Sequence, residues 1–252
     1  MGVNMIGLTS VTFRGLNVET IVELAVQAGI DGIEWGGDIH VPVGDLKAAR
    51  YASGLTRRAG LKVLSYGSYY RLGNGGDFSV VLKTARELGA PNIRIWAGSI
   101  SPEAAGEEDY KSLAEELQQI CSQAQKAGIT VSLEYHRGTL TETAVSTLKL
   151  IGLVQIKNLY TYWQPNPDIT QDENCEELQM VKPYLSHIHT FYWKAGNTRY
   201  PLAEGKAEWL NYLRVAELDL KKSACILEFV KDDSIINFMA DAAELKNYLL
   251  AL

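Results

Sequence analysis

Cysteine, histidine and positive charge are all scarce in this sequence. It has three cysteines, none in a CxxC spacing, and four histidines. The odd number of cysteines and their spacing argue against a disulfide framework, so we expect a reduced, cytoplasmic setting. The formal net charge of -6 argues against the basic face that binds nucleic acid or an anionic membrane. We therefore expect neither partner, although a local basic patch stays open.

Long apolar runs and glycine-rich nucleotide motifs are also missing. No run approaches membrane-spanning length, and residues 1–5 contain no basic stretch that leads into an apolar core, so we expect no signal peptide. The loop from Thr9 to Gly15, after the first predicted strand, lacks GxGxxG, and no P-loop motif occurs. These absences disfavour the main competing architecture, a doubly wound open sheet with a phosphate loop.

What the sequence does contain is a recurring order of helix, glycine and strand. Gly29, Gly60, Gly89 and Gly128 each precede an apolar run, at separations of 31, 29 and 39 residues. Glycine commonly ends a helix in the left-handed conformation. Separations of this size accommodate one strand, one helix and two loops, which predicts parallel βαβ units.

The pattern predicts eight strands and eight helices, the number found in a (β/α)8 TIM barrel. The strands are predicted near 3–9, 31–35, 62–66, 92–96, 129–135, 156–163, 185–190 and 224–229. The helices are predicted near 17–28, 44–59, 77–88, 105–127, 142–151, 172–182, 207–218 and 234–250. Asn17 and Asp77 are candidate helix caps. No low-complexity linker divides the chain, so we expect a single α/β barrel domain over residues 1–252.

Chemically active side chains recur where the later predicted strands end. In the stretch 129–137, polar residues alternate with apolar ones, which places Glu134 and His136 on the interior face. The next three strands end on Gln164, His189 and Glu228. Because the carboxyl ends of parallel strands meet at one mouth of a barrel, these groups are predicted to form one site.

Two glutamates inside one barrel mouth need a cation, a proton or arginines between them. A divalent metal held by Glu134, Gln164, His189 and Glu228 would meet this need. Oxygen-rich ligation with one imidazole favours Mn²⁺ or Mg²⁺, with Co²⁺ and Zn²⁺ also compatible. The alternative is that Arg94 and Arg137 pair with the two glutamates as plain ion pairs.

Four motifs in chain order carry a resemblance to a known family. They are Gly32-Ile33-Glu34-Trp35, Leu133-Glu134-Tyr135-His136, His187-Ile188-His189 and Leu227-Glu228-Phe229. With them the chain resembles the xylose isomerase-like TIM barrels, a sugar phosphate isomerase/epimerase group related to endonuclease IV. The resemblance implies one divalent metal held by Glu, Asp, His and Glu, and two glutamates that shuttle a proton. Strand six departs from this pattern, because Gln164 stands where the family has Asp, and Asp168 is the alternative ligand.

The resemblance implies a metal-dependent isomerase or epimerase that acts on a small sugar or sugar phosphate through an enediolate. The alternatives are a keto-inositol (polyol) dehydratase or lyase and a non-catalytic sugar-binding barrel. An abasic-site endonuclease is disfavoured, because it needs about three metals and the acidic chain has only four histidines. A homodimer stays open. The predicted substrate-binding residues are Glu34, His40, Tyr66, Arg94, Trp96, His136, Lys194 and Arg199.

Overall fold

The computed structural model describes residues 5–217 and 223–252. Within these residues, eight parallel strands close into a barrel in the order β1-β10-β7-β6-β5-β4-β3-β2. The barrel strands are β1 (Met5–Thr9), β2 (Gly32–Gly36), β3 (Lys62–Arg71), β4 (Asn92–Trp96), β5 (Thr130–Leu133), β6 (Leu159–Trp163), β7 (Leu185–Thr190) and β10 (Ala224–Leu227). A two-stranded antiparallel sheet, β8 (Tyr192–Lys194) with β9 (Thr198–Tyr200), follows β7. The predicted fold class is confirmed.

The described part of the chain contains eight α-helices, one after each barrel strand. They are α1 (Val18–Ala28), α2 (Leu46–Arg58), α3 (Phe78–Leu88), α4 (Glu107–Lys126), α5 (Ala144–Leu153), α6 (Gln171–Val181), α7 (Lys206–Ala216) and α8 (Ile235–Leu250). The predicted residues 3, 4 and 218 lie outside the described residues. None of the described helices combines the length and apolar character needed to cross a membrane.

Local sequence signals explain several of these boundaries. Asn17 accepts a hydrogen bond from the Thr20 N–H at 2.9 Å and caps α1. Asp77 caps α3 in the same way, through the Ser79 N–H. Gly29 and Gly89 end these two helices with φ of 62° and 73°, the left-handed conformation in which glycine carries no Cβ strain.

Two features differ from the prediction. Strand β3 continues to Arg71 instead of ending at residue 66, because its register against β4 shifts between Gly67 and Arg71 and pairing resumes after the shift. The β8–β9 hairpin was not predicted, since its three-residue strands are too short to show a period. Both features lie after the carboxyl ends of barrel strands, where they shape the mouth of the barrel.

The strand register sets the height of each side chain in the barrel. Thr9 is level with Glu34, and Ile226 is level with His189. Large apolar side chains face the helices outside the barrel; Trp35, for example, donates from Nε1 to Thr56 Oγ1 on α2 at 3.2 Å. The polar interior residues therefore stack in layers, with the charged layer at the carboxyl ends of the strands.

Candidate metal and substrate site

A cavity of about 370 Å³ opens at the carboxyl-terminal mouth of the barrel. Its lining combines carboxylates and an amide with arginines and aromatic rings. The charged and amide groups include Glu134, Glu142, Glu228, Gln164, Arg14 and Arg137, and the rings include Tyr69, Trp96, His136, Phe191, Trp193 and Phe229. This composition suits a small polar ligand with at least one apolar face.

Three buried residues at the base of this cavity are arranged to hold a cation. One ligand atom from each of Glu134, His189 and Glu228 lies within 4.8 Å of the others. The Nδ1 atom of His189 is 3.3 Å from Glu228 Oε2 and 3.2 Å from Gln164 Oε1. The structure therefore brings together all four predicted ligands, with His189 facing the other groups through Nδ1.

Glu34 lies below this group and holds the opposite side of the imidazole. Its Oε1 is 3.3 Å from His189 Nε2, and its Oε2 accepts a hydrogen bond from the Tyr162 hydroxyl at 2.7 Å. A carboxylate on the far nitrogen fixes the ring orientation and tautomer of a metal-binding histidine. Glu34 is fully buried and does not appear among the residues that line the cavity, so the structure places it beneath the site.

Arg94 bridges two of the buried carboxylates. Its guanidinium pairs with Glu34 at 2.9 Å and also with Glu134. Burial lowers the pKa of Arg94, but Glu134 and Glu34 outweigh burial and raise it above its ordinary value. Burial raises the pKa of Glu34, yet Arg94 and His189 hold it well below the usual range. The predicted alternative of a plain ion pair thus exists for Glu134.

Glu228 has a different partner. Burial raises its pKa, but the neighbouring His189 imidazole outweighs burial and the pKa is lowered. Burial lowers the pKa of His189, yet Glu228 and Glu34 raise it to about 10. Arg137, the other arginine considered as a partner, pairs instead with Asp168 on the exposed rim. Asp168 was the alternative ligand, and this pairing already satisfies its carboxylate.

The balance of charges at this site indicates whether a divalent cation fits. Three buried carboxylates lie close together here, those of Glu34, Glu134 and Glu228. Among the described residues one guanidinium, that of Arg94, pairs with Glu34 and Glu134, while Glu228 pairs with His189. Two negative charges therefore remain when His189 is neutral, and buried charges are rarely left unpaired. A divalent ion balances them, and a donor set of oxygens with one imidazole suits it. The residues present fit such an ion.

Two other predicted residues, Trp96 and His136, line the cavity together. Their rings stack with centroids 4.3 Å apart. The Arg71 guanidinium lies 3.8 Å from the centroid of the Trp96 ring, and Arg71 also donates to Gly98 O. Trp96 is therefore covered by His136 and Arg71, and the stack forms part of one wall of the cavity.

Six of the eight predicted substrate contacts lie outside the cavity lining: Glu34 and Arg94, which lie beneath the site, and four further residues. His40 is buried against Ser10 Oγ at 3.0 Å, and the Tyr66 hydroxyl donates to Val41 O at 2.9 Å. Lys194 is exposed on the β8–β9 hairpin, and Arg199 pairs with Asp233 at 2.6 Å. The partners of these side chains are distant in the sequence, so the spacing of residues along the chain does not predict them.

Several residues of the cavity were not among the predicted substrate contacts. Arg14 and Tyr69 line the cavity and are hydrogen-bonded to each other across 55 positions. Phe229 lines it too, with a left-handed φ of 45° directly after Glu228. The only available signal was the wealth of aromatic residues after the strands, and this signal does not distinguish a cavity wall from ordinary packing.

Comparisons with known proteins agree with this geometry. The family model described as xylose isomerase-like TIM barrel matches residues 22–245. A 3-dehydroshikimate dehydratase of Bacillus anthracis is 23% identical over 199 residues, which cover 72% of this chain and 69% of the relative.

Among solved structures, a probable 3-dehydroshikimate dehydratase from Bacillus anthracis superposes with a TM-score of 0.80 at 20% identity, covering 96% of this chain and 99% of that one. A D-psicose 3-epimerase superposes with a TM-score of 0.72 at 16% identity, covering 98% of both chains. A 3-keto-D-glucoside 4-epimerase from E. coli gives 0.69 at 16% identity, covering 97% of this chain and 98% of that one. At these identities the likeness to the solved structures is one of fold.

Proposed function

Because the chain belongs to the xylose isomerase-like TIM barrel family, we propose that it is a metal-dependent enzyme of proton transfer. Its substrate is a small polyhydroxylated molecule, and the proton moves at the carbon beside a carbonyl group. The observation that carries the proposal is the buried cluster of Glu134, His189 and Glu228 at the base of an open cavity. Carboxylates placed together in a water-poor pocket are suited to general acid and base work.

The cluster supplies the ligands for the metal. Glu134, Gln164, His189 and Glu228 would hold it, and Mn²⁺ is the first candidate because oxygen atoms predominate among the donors. When bound, a divalent ion at this place polarises the substrate carbonyl and makes the neighbouring C–H more acidic. Glu34 keeps the imidazole of His189 in the orientation that leaves Nδ1 free for coordination.

The two glutamates then divide the proton transfer between them. They approach the site from different directions, because β6 and β7 lie between β5 and β10 in the barrel. One glutamate takes the proton from carbon. The other returns a proton to the opposite face of that carbon in an epimerase, or to the adjacent carbon in an isomerase. This division of roles supports an isomerase or epimerase, the activity named for several structural neighbours.

A dehydratase is the second candidate, and a specific observation favours it. The curated relative with 23% identity and the solved structure with a TM-score of 0.80 are both named for 3-dehydroshikimate dehydration. The same groups suffice for this reaction: a glutamate takes the proton from carbon, the C–O bond of a β-hydroxyl breaks, and the same proton passes to the departing oxygen to give water. Arg14 and Arg137 in the lining could face a carboxylate of such a substrate. A keto-inositol would be dehydrated in the same way.

A panel of named compounds tests both candidates. Chelated protein reconstituted with Mn²⁺ is incubated with D-fructose, D-psicose, L-ribulose, D-tagatose and 3-dehydroshikimate. Proton NMR in D₂O detects exchange at the carbon beside the carbonyl, and ultraviolet absorbance detects the aromatic product of dehydration. Conversion of a ketose supports the epimerase, and formation of the aromatic product supports the dehydratase.

Two controls make this screen decisive. Chelated protein without added metal should be inactive, and Glu228→Gln protein should be inactive with metal. Protein that binds Mn²⁺ and a sugar but exchanges no proton would contradict both enzymatic candidates and leave the sugar-binding barrel. Absence of metal binding would contradict the metal-dependent mechanism itself.

A further inference from the structure

Tyr69 stands in a backbone conformation that side chains other than glycine rarely adopt. Its φ is 58°, in the left-handed region. The backbone beside it is held by the Ser68 hydroxyl, which donates to Arg94 O at 2.8 Å. On its other side the Tyr70 hydroxyl lies outside the cavity lining and shares its proton between Gly76 O at 2.9 Å and Glu116 Oε1 at 2.7 Å. Residues kept in unfavourable backbone conformations cluster at functional sites. Here the consequence is that Ser68 and Tyr70 are buried while Tyr69 between them lines the cavity.

The hydroxyl group of Tyr69 has one partner among the described residues, and that partner is a donor. Arg14 Nη2 donates to the Tyr69 oxygen at 2.8 Å. A guanidinium has no acceptor, so the phenolic oxygen must accept this bond. Arg14 is itself held by an ion pair with Asp38. Within residues 5–217 and 223–252, no acceptor is paired with the Tyr69 O–H, which leaves its proton available to a ligand in the cavity.

The surroundings of the phenol determine which role it can take. Burial raises its pKa to about 12, although Arg94 lowers it and Asp38 raises it further. The group therefore stays protonated near neutral pH and serves as a donor, not as a base. Its ring lies 5.8 Å from Arg94 Cζ, and Arg94 pairs with Glu134. A ligand that reaches Glu134 from the cavity thus comes within the neighbourhood of the Tyr69 hydroxyl.

We propose that Tyr69 is a specificity-determining residue whose hydroxyl donates a hydrogen bond to an oxygen of the substrate. This inference rests on the proposed function, since it concerns a substrate in the same cavity. The bond involves no proton transfer: Arg14 polarises the phenol from one side, and the substrate oxygen accepts from the other. A hydroxyl group or a carboxylate of the substrate can occupy this place. The site therefore favours substrates that carry an oxygen within reach of the Tyr69 hydroxyl.

Tyr69→Phe isolates this hydrogen bond, because it retains the ring, the backbone conformation and the contact with Trp96. Its matched control is Tyr70→Phe, which removes the neighbouring hydroxyl from two bonds that lie away from the cavity. Three quantities are measured for each protein: kcat/KM on the compounds of the panel above, the thermal midpoint, and Mn²⁺ affinity by titration calorimetry.

For Tyr69→Phe we expect kcat/KM to fall roughly tenfold, the ordinary effect of losing one hydrogen bond, while the thermal midpoint and the Mn²⁺ affinity stay at the wild-type values. For Tyr70→Phe we expect the reverse, a lower thermal midpoint and nearly unchanged kcat/KM. If Tyr69→Phe converts a compound as fast as the wild-type protein does, the proposed role of Tyr69 is wrong and the proposed function is unaffected. Wild-type protein that binds Mn²⁺ but neither binds nor converts any compound overturns both proposals.

Discussion

His187 and His189 lie two residues apart on β7, and both are buried inside the barrel. Their surroundings shift the pKa values of the two imidazoles in opposite directions. His187 accepts the Ala224 N–H through Nδ1 at 3.0 Å. Burial lowers its pKa to about 4, with Glu34 opposing the shift and His189 adding to it. Burial also lowers the pKa of His189, but Glu228 and Glu34 raise it to about 10. The pKa of the same residue type is therefore lowered in one layer of the barrel and raised in the next.

The two layers differ in how their polar groups find partners. Around His187 the interior groups are neutral and bond to one another: Asn92 donates to Ser65 Oγ at 3.1 Å, and Ser132 lies 2.8 Å from both Asn92 Oδ1 and Ser186 Oγ. Around His189 the partners are full charges. A neutral network is complete within the protein, whereas the charged layer retains an excess of carboxylates that a ligand can balance. Stability and function are thus divided between the two ends of one barrel, as is typical of this fold.

The largest effect should follow from removing a carboxylate of the charged layer. Glu134→Gln and Glu228→Gln each replace a base and an anionic ligand by a neutral side chain of the same shape. We expect turnover on the true substrate to fall by at least about 10²–10⁴-fold, the usual effect of losing a general acid or base. Steady-state kinetics with Mn²⁺ present, together with circular dichroism to establish the fold, measures this.

Glu142→Gln is the control for this prediction. Glu142 lines the same cavity, but its carboxylate accepts the Gly138 N–H in the loop after β5 and is not part of the cluster. We expect nearly wild-type turnover for this variant. Near-full activity of Glu134→Gln or Glu228→Gln would exclude that glutamate as a proton carrier. It would also contradict the assignment of function to the charged layer.

The next effect concerns stability. Arg94→Met leaves Glu34 and Glu134 buried without their common cation. Removing one partner of a buried ion pair costs about 3–5 kcal/mol, so we expect a loss of this order in the free energy of unfolding of the metal-free protein. Urea unfolding at neutral pH measures it, and Mn²⁺ should restore part of the loss because it supplies positive charge to Glu134, one of the two carboxylates.

Arg50→Met provides the matched comparison. Arg50 pairs with Glu87 at 3.0 Å, but its side chain is 59% exposed. Exposed pairs contribute about 0–1 kcal/mol, so this variant should remain close to wild type. Equal effects of the two substitutions would mean that the charged layer is screened by solvent and does not behave as a buried group.

The repeating elements of this barrel could be predicted because their signals are local. A glycine that ends a helix and a polar residue that begins one act within about one turn of the chain, and Asn17, Gly29, Asp77 and Gly89 all do so here. For this reason the predicted order of eight strands and eight helices is confirmed, although β3 extends to Arg71. The β8–β9 hairpin carries no comparable signal and was missed.

In the candidate site, only the residues at the ends of barrel strands could be predicted from the sequence. Glu134, Gln164, His189 and Glu228 end consecutive barrel strands, so topology alone brings them together. The bridge from Arg94 to Glu34 and the bond from Arg14 to Tyr69 span 60 and 55 positions, and nothing in the local sequence encodes such a choice of partner. The role of Glu34 changed for this reason, from a predicted substrate contact to the support of His189.

A smaller effect is expected at Gln164, the one neutral oxygen donor of the proposed metal site. Gln164→Asp adds one unit of ligand charge next to His189 Nδ1. Ligand charge is one of the quantities that set the affinity of a hard dication, so we expect Mn²⁺ to bind roughly tenfold more tightly, or by about 1.4 kcal/mol. Aspartate is one methylene shorter, and a bridging water can span the difference. Titration calorimetry on chelated protein measures the change.

Asn166→Asp controls for charge alone. Asn166 lines the same cavity and accepts the Asp168 N–H at 3.0 Å, a bond that aspartate retains. An equal gain in affinity from both variants would mean that the cavity responds to net charge and that Gln164 is no ligand. Its carboxamide would then be free to bind a substrate hydroxyl.

The smallest effect is predicted for His187→Asn, a substitution in the neutral layer of the barrel. His187→Asn retains an acceptor at the position of Nδ1, so the Ala224 N–H stays satisfied, and we expect a loss of less than about 1 kcal/mol. His187→Leu removes the acceptor and leaves a buried N–H unpaired, which costs about 1–3 kcal/mol. Mn²⁺ affinity should be unchanged in both, because His187 belongs to the neutral network and not to the cluster of Glu134, His189 and Glu228. Urea unfolding and calorimetry on the two variants measure these quantities side by side. A loss of Mn²⁺ affinity in His187→Asn would show that the two layers are coupled, and that the neutral network supports the geometry of the site above it.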